Sequence, residues 1–213
     1  TQDLIGPDIL CWGTSLRAKP ADGRTFAGWH QDTAYADVRP IVVIVALALS
    51  PARAENGCIR GIPGSHRGPL LPHKEAFATN SLLSREQHID APIDAAQAVD
   101  FALDPGEIAL FNNAIIHSSN PNAGNDRRII FLLEMVPTHA YQHAPRESAA
   151  LVRGQDTHGN FDTDPPPRTE MGATELAAWH RAVEIQASVL FRGAQRPPRA
   201  LQGMTSGKAP GGD

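Results

Sequence analysis

The nine residues IVVIVALAL at positions 41–49 form the longest unbroken apolar run in the chain. They are rich in valine and isoleucine, and Pro40 and the pair Ser50-Pro51 bound them. A short apolar run of this composition, closed by turn residues at each end, predicts a strand that is buried on both faces. The rest of the fold is expected to assemble around this strand.

Shorter stretches of β-forming residues lie on either side of this run. The chain has 18 glycines and 18 prolines, which favours short strands joined by turns. Several short strands at close spacing are typical of a sandwich or a barrel, so the predicted fold class is mainly β. These further strands are predicted at residues 9–18, 58–62, 99–103, 107–112 and 127–136.

The remaining sequence adds helices and irregular segments. Residues 66–98 lack β periodicity and include a predicted short helix at 84–88, which indicates an insertion. Apolar residues at helical spacing predict a C-terminal helix over 172–191. Residues 196–213 are rich in Gly and Pro and are predicted to be a disordered tail. Residues 1–195 would then form a single domain.

Composition excludes several classes of partner. The 19 basic and 23 acidic residues give a net charge of −4, which is unsuited to nucleic acid or an anionic membrane surface. The longest apolar run falls well short of the roughly 20 residues that a membrane helix needs. Cys11 and Cys58 show no metal spacing and no disulfide framework, which is typical of a reducing cytoplasm. We therefore expect a cytoplasmic monomer or homodimer that acts on a small molecule.

A His-x-Asp pair precedes the buried strand. Residues i and i+2 of an extended chain point to the same side, so His30 and Asp32 can present a nitrogen and a carboxylate oxygen to one point. The pair alone is a weak signal, because the chain has a second copy at His88 and Asp90. That copy lies in the polar insertion and is predicted to be a solvated loop that binds no metal.

A third ligand is expected from a distant strand. His117 follows the apolar run at 108–116, where a histidine ordinarily faces water. However, Ser119 lies two residues further on and Arg128 opens the next apolar strand. Arginine beside a hydroxyl suits a carboxylate, and two histidines with one carboxylate form the facial triad of non-haem Fe(II) oxygenases. The set predicts an iron site with an organic-acid cosubstrate.

Four motifs make the sequence resemble the phytanoyl-CoA dioxygenase family. They are WHQD at 29–32, NGCIRGIPGSH at 56–66, PGEIALFNNAIIH at 105–117 and HSSNPNAGNDRR at 117–128. The resemblance covers residues 1 to about 137. It implies a double-stranded β-helix (a jelly roll, cupin-like fold) with flanking helices. Members of this family usually carry a further N-terminal segment, so part of the domain is expected to lie outside this chain.

The resemblance also implies the roles of the site residues. His30, Asp32 and His117 correspond to the iron ligands, and Ser119 and Arg128 to the clamp on the distal carboxylate of 2-oxoglutarate. The implied cofactors are Fe(II), 2-oxoglutarate and dioxygen, and the co-products of hydroxylation are succinate and CO2. Related halogenases have a small residue at the carboxylate position, so Asp32 favours hydroxylation.

Four residues are candidates for substrate contacts. Trp29 and Tyr35, like Trp12, either line the mouth of the pocket or are core and rim aromatics. Arg60 either holds an anionic group of the substrate or lies on the solvated face of an edge strand, and the second is favoured. Asn113 is a candidate polar contact.

The prime substrate is expected to be a small polar metabolite, for which amino acids, compatible solutes and aminophosphonates are the classes to screen. One alternative is an oxidative tailoring enzyme that acts on a bulkier secondary metabolite. Another is a cupin-like metal-binding module without turnover. The intact set of five candidate metal and cosubstrate residues argues against this last alternative.

Overall fold

The structure is a computed structural model that describes residues 1–36, 38–76, 78–143 and 145–195. Strands dominate the described chain, and a single long helix, α2, follows them. The helices are α1 (Gln2–Ile5) and α2 (Ala173–Leu190). The strands are β1 (Ile9–Lys19), β2 (Ala27–His30), β3 (Val38–Arg39), β4 (Val43–Ala48), β5 (Arg60–Gly61), β6 (His73–Glu75), β7 (Gln87–Ile89), β8 (Val99–Asp100), β9 (Ile108–Asn112), β10 (His117–Ser119), β11 (Arg128–Pro137), β12 (Tyr141–Gln142), β13 (Ser148–Arg153) and β14 (Asp162–Thr163).

Most strands belong to two sheets. The larger sheet has the order β14-β13-β1-β11-β4-β9, and the smaller one has the order β2-β10-β5-β8. Apolar side chains on both sides of the interior form one core, to which the larger sheet contributes Ile44 and Ile130, and the loops of the smaller sheet contribute Ile59 and Ile115. This is the predicted double-stranded β-helix, or jelly roll, with its interior between the two sheets.

The run that decided the fold lies where it was predicted. β4 pairs with β11 on one side and with β9 on the other, so no edge of this strand is open. Five of its six residues are buried, and Leu47 is half-buried. A strand covered on both faces needs apolar residues at every position, which explains the absence of alternation.

The insertion differs from its prediction. The expected helix at 84–88 does not form, because residues from Gln87 onward build β7, which pairs antiparallel with β6. The predicted strand at 99–103 is also shorter, since β8 ends at Asp100 and Leu103 makes an isolated bridge to Ala52. Both errors arise in short segments whose conformation depends on a partner distant in sequence.

The C-terminal helix is confirmed over Ala173–Leu190, although none of its residues is buried. The side chain of Arg85 donates to the carbonyl of Leu190 at 3.1 Å and holds the end of the helix against the insertion. Among the described helices, none is both long and apolar enough to cross a membrane. The predicted tail at 196–213 lies outside the described residues, and the single domain at 1–195 stays a prediction.

Candidate metal centre

Three side chains named from the sequence converge between the sheets. His30 ends β2, Asp32 follows it in a short 3-10 helix, and His117 begins β10 directly opposite His30. The Nε2 atoms of His30 and His117 lie 3.4 Å and 3.7 Å from the two carboxylate oxygens of Asp32. One ligand atom from each residue falls within 4.8 Å of the others, as a single bound ion requires.

Backbone carbonyls set the tautomer of both histidines. The Nδ1 atom of His30 lies 2.8 Å from the carbonyl of Gly28, and that of His117 lies 3.0 Å from the carbonyl of Ile115. A carbonyl oxygen only accepts, so each Nδ1 carries the hydrogen and each Nε2 keeps its lone pair. Two imidazole nitrogens and one carboxylate oxygen on one side of a cavity fit the facial triad of a non-haem ferrous centre.

Electrostatics favour the metal-binding protonation states of these residues. Burial by itself raises the pKa of Asp32, but His117 and His30 outweigh burial and bring the pKa to about 2. Burial and the neighbouring His30 lower the pKa of His117 to about 4. At neutral pH Asp32 is therefore ionised and His117 is a neutral imidazole, so a metal ion does not have to displace a proton from Asp32 or from His117 Nε2.

A buried cation that forms no ion pair among the described residues lines the same cavity. Arg128 and Ser119 line this cavity together with the three ligand residues, and both are buried. The Arg128 side chain is among the largest fully buried ones, and its Nε has no hydrogen-bond partner among the described residues. Burial lowers its pKa to about 10. A guanidinium in this state is stabilised by a carboxylate ligand, which fits the predicted clamp.

Lys19 is a further buried cation beside Ser119 and Arg128 that the sequence analysis missed. It lies opposite Arg128 in the pairing of β1 with β11, and it is fully buried. Its Nζ donates to Ser119 Oγ at 2.7 Å and to the carbonyl of Asn120. Ser119 Oγ therefore accepts from Lys19 and keeps its own hydrogen for a ligand. Burial, followed by the charge of Arg128, lowers the pKa of Lys19 to about 7.

The sequence contained a signal for this inward-facing basic side. In the second half of β1, Leu16 is exposed whereas Arg17 and Lys19 turn inward, and Arg17 also lines the cavity of the ligand residues. Basic residues alternating with outward apolar ones invert the usual strand pattern. Such an inversion indicates a polar interior site.

Gln31, between the two ligands, has a structural role. It is fully buried, its Nε2 donates to the carbonyl of Ala114 at 3.0 Å, and its Oε1 accepts from the backbone N of Leu71 at 2.9 Å. The backbone N of Asp32 donates to the carbonyl of Asn113 at 3.0 Å. These bonds hold the His-x-Asp segment against the chain that leads into β10.

The four candidate substrate residues divide into two pairs. Tyr35 and Asn113 line a second cavity, which adjoins the first and shares Asp32 with it. Trp12 lines this second cavity as well.

Trp29 and Arg60, the other two candidates, lie outside these two cavities. Neither is among the described residues that line the two cavities. The Arg60 guanidinium is 5.5 Å from the ring centroid of Trp29, and its Nε is 3.6 Å from Asp100 Oδ1. Trp29 alternates with His30 along β2, so its side chain points to the opposite face of the small sheet.

The second His-x-Asp copy does not form a metal site in the described part of the chain, where only the first copy belongs to such a cluster. His88 lies in β7 rather than in the expected loop. Asp90 follows the strand and forms an exposed ion pair with Lys74, at 2.5 Å. The two residues are thus occupied by strand pairing and by a surface contact.

Comparison with known proteins gives a consistent result. The family model described as "Phytanoyl-CoA dioxygenase (PhyH)" matches residues 2–130. The peroxisomal phytanoyl-CoA dioxygenase of Rattus norvegicus is 30% identical over 127 residues, which cover 56% of this chain and 37% of the rat protein. The chain matches less than half the length of such curated relatives.

Two solved structures are similar over a larger share of the chain. The non-heme monooxygenase ThoJ, in its apo form, is 31% identical with a TM-score of 0.80, over 91% of this chain and 71% of ThoJ. EvdO2 from Micromonospora carbonacea var. aurantiaca, complexed with 2-oxoglutarate, is 27% identical with a TM-score of 0.50, over 63% and 56% of the respective chains. Since the family model covers more than half of the 213 residues, the chain belongs to the phytanoyl-CoA dioxygenase family.

Proposed function

We propose that this chain is an Fe(II)- and 2-oxoglutarate-dependent dioxygenase that hydroxylates an unactivated C–H bond of a small polar metabolite. The convergence of His30, Asp32 and His117 carries the proposal, because their ligand atoms lie within 4.8 Å of one another. The buried guanidinium of Arg128 in the same cavity, whose Nε has no partner in the described part of the chain, supports a dicarboxylate cosubstrate rather than a metal alone. Family membership supports the same reading.

Each group has a distinct task. His30, Asp32 and His117 would hold ferrous iron, and Arg128 with Ser119 would hold the distal carboxylate of 2-oxoglutarate. When both are bound, they would supply the oxidative chemistry in which dioxygen, 2-oxoglutarate and the C–H bond of the substrate give succinate, CO2 and the hydroxylated substrate. The protein fixes the donor geometry and orients the cosubstrate, and apolar residues such as Ile44 and Phe111 form part of the cavity wall.

The cavities leave room for a separate substrate. The second cavity has a volume of about 200 Å³, and its lining includes Tyr35 and Asn113. It shares Asp32 with the first cavity but does not include Ser119 or Arg128 among its described lining residues. A substrate there would approach the metal from the side opposite the cosubstrate clamp.

The experiment that tests this function compares the two His-x-Asp copies. Asp32→Ala should abolish iron-dependent formation of succinate from 2-oxoglutarate, since the donor set loses its only carboxylate. Asp90→Ala is the matched control and should keep wild-type succinate formation. Circular dichroism checks that both variants are folded.

A binding measurement complements the turnover assay. Under anaerobic conditions, the wild type and Asp90→Ala should show a visible absorption band when Fe(II) and 2-oxoglutarate are added. This band comes from ferrous iron chelated by the 2-oxo acid. The band should be absent in Asp32→Ala. Undiminished succinate formation by Asp32→Ala would rule out the ligand set, and a wild type that forms neither the band nor succinate would favour a non-catalytic module.

A further inference from the structure

The second cavity contains more acidic side chains than the metal needs. The charged residues of its described lining are Arg17, Asp32, Glu134 and Glu147. Asp32 belongs to the metal centre, so two carboxylates remain against one guanidinium. Carboxylates that face a cavity without a protein partner are uncommon and indicate a ligand.

Glu147 is the first of these carboxylates. It precedes β13 and is only 3% exposed, and its Oε2 accepts a hydrogen bond from Trp12 Nε1 at 3.1 Å. Its Oε1 has no hydrogen-bond partner within the described part of the chain. The side chain of Gln142 lies beside Glu147 and lowers its pKa by hydrogen bonding, and its Nε2 also donates to the carbonyl of Pro145 at 3.4 Å. A buried carboxylate oxygen in this position is stabilised by a donor or a cation from a ligand.

Glu134 is the second carboxylate, and it belongs to both cavities. It lies on β11 opposite Gly13, and the glycine makes room for it, since a Cβ added to Gly13 would lie 2.6 Å from Glu134 Oε2. Arg17 does not neutralise Glu134 by direct contact, because its Nη1 points instead to the carbonyl of Leu82 at 3.4 Å. The carboxylate is thus placed between the metal ligands and the second cavity.

The electrostatic surroundings agree with this geometry. Burial, followed by the charge of Asp32, raises the pKa of Glu134 to about 7, and Glu147 contributes in the same direction. Burial also raises the pKa of Glu147. Around Glu134 the negative charges of Asp32 and Glu147 outweigh the opposing charge of Arg17, and a cation would relieve this excess.

The structure assigns the second cavity to a substrate with a cationic nitrogen group, held by Glu147 and Glu134 beside the indole of Trp12. The hydrogen bond to Glu147 fixes the Trp12 ring, so the indole forms a wall of the cavity beside the carboxylate. The inference rests on the proposed oxygenase function in that it treats the bound cation as part of the oxidised molecule. It narrows the expected small polar metabolites to amines, quaternary ammonium compounds and similar cations.

The test uses two probes of the same shape and different charge, tert-butylammonium and tert-butanol. Dissociation constants are measured by ligand-observed NMR titration of the metal-free full chain, so neither iron nor turnover is needed. We expect the cation to bind at least tenfold more tightly than the neutral probe. The two carboxylates would otherwise remain unpaired, and an alcohol cannot neutralise them.

Three variants locate the preference. Glu147→Gln and Glu134→Gln should each weaken tert-butylammonium binding at least fivefold and leave tert-butanol binding unchanged. Glu55→Gln, which removes an exposed carboxylate outside the described lining of both cavities, is the matched control and should bind both probes as the wild type does. Equal binding of the two probes by the wild type, or unchanged cation binding in both cavity variants, would overturn the assignment.

The succinate assay separates this inference from the proposed function. Succinate formation without cation preference would mean that the oxygenase reading holds and the substrate assignment fails. A cation preference that both glutamine variants abolish, in a chain that forms no succinate with iron and 2-oxoglutarate, would support the cation site and reject the oxygenase reading.

Discussion

Replacing Arg128 by methionine should separate the binding role of this residue from any role in stability. Arg128 is held charged in a cavity where burial lowers its pKa from its ordinary value to about 10. That difference corresponds to roughly 3 kcal/mol of cost in the protein without cosubstrate. Arg128→Met removes the charge and keeps much of the apolar side-chain volume. We therefore expect the free energy of unfolding, without cosubstrate, to stay the same or rise by up to about 3 kcal/mol.

Cosubstrate binding should respond in the opposite direction. Loss of a buried, charge-assisted contact to a carboxylate weakens binding by about 2–5 kcal/mol, or about 30-fold to several thousand-fold. The assay is urea unfolding with and without 2-oxoglutarate, together with an anaerobic titration of the Fe(II)-loaded protein. A cosubstrate concentration of 100 times Kd stabilises the wild type by about 2.7 kcal/mol, and this gain should vanish in Arg128→Met.

Arg127 provides the control, because it is the exposed neighbour with the same charge. Arg127→Met should unfold and bind 2-oxoglutarate as the wild type does. Equal loss of 2-oxoglutarate affinity in both variants would show that the net positive charge of this region, and not a contact from Arg128, favours binding. A loss of more than about 3 kcal/mol in Arg128→Met without cosubstrate would mean that Arg128 stabilises the fold, contrary to the reasoning.

Three further predictions concern neighbouring groups. His88→Ala should leave the iron content unchanged when metal is measured after anaerobic loading, and iron loss there would show that the other His-x-Asp is the site. Lys19→Met should weaken 2-oxoglutarate binding about tenfold in the same titration, because Ser119 loses the donor that orients its hydroxyl; unchanged affinity would reject that role. In the metal-free protein, urea unfolding should show that Glu134→Gln becomes more stable relative to the wild type as pH rises from about 4.5 through 7. The difference in the free energy of unfolding should reach at most about 3 kcal/mol. Below that window the carboxyl is protonated in both folded and unfolded chains, whereas above it the folded chain must ionise a carboxyl whose pKa is raised to about 7; a pH-independent difference would contradict the buried position of this group.

The local sequence pattern was sufficient to predict elements whose residues show a clear apolar run or a clear periodicity. The apolar run of β4 and the helical spacing of α2 were read from single segments, and both lie where they were predicted. The pair His30 and Asp32 was equally readable, because alternation along an extended chain places both on one side.

The same kind of reasoning failed where a distant partner decides the conformation. Residues 84–88 were predicted as a helix, but β7 forms because β6 offers backbone hydrogen bonds that a local pattern cannot reveal. Trp29 was named as a candidate substrate contact without knowledge of the sheet in which it lies. Its alternation with His30 along β2 turns its side chain away from the metal site. Arg60 likewise pairs across the small sheet with Asp100.

By itself, the sequence determined which residue types could bind a ferrous ion and a dicarboxylate, since imidazole, carboxylate and guanidinium chemistry belongs to the side chains. Only the tertiary structure decided which other charged residues lie beside them. The pairing of β1 with β11 sets Lys19 against Arg128 and Gly13 against Glu134, although more than a hundred residues separate each pair. A register of this kind comes from hydrogen bonds between distant strands and from the packing of their buried faces, which no short stretch of sequence encodes.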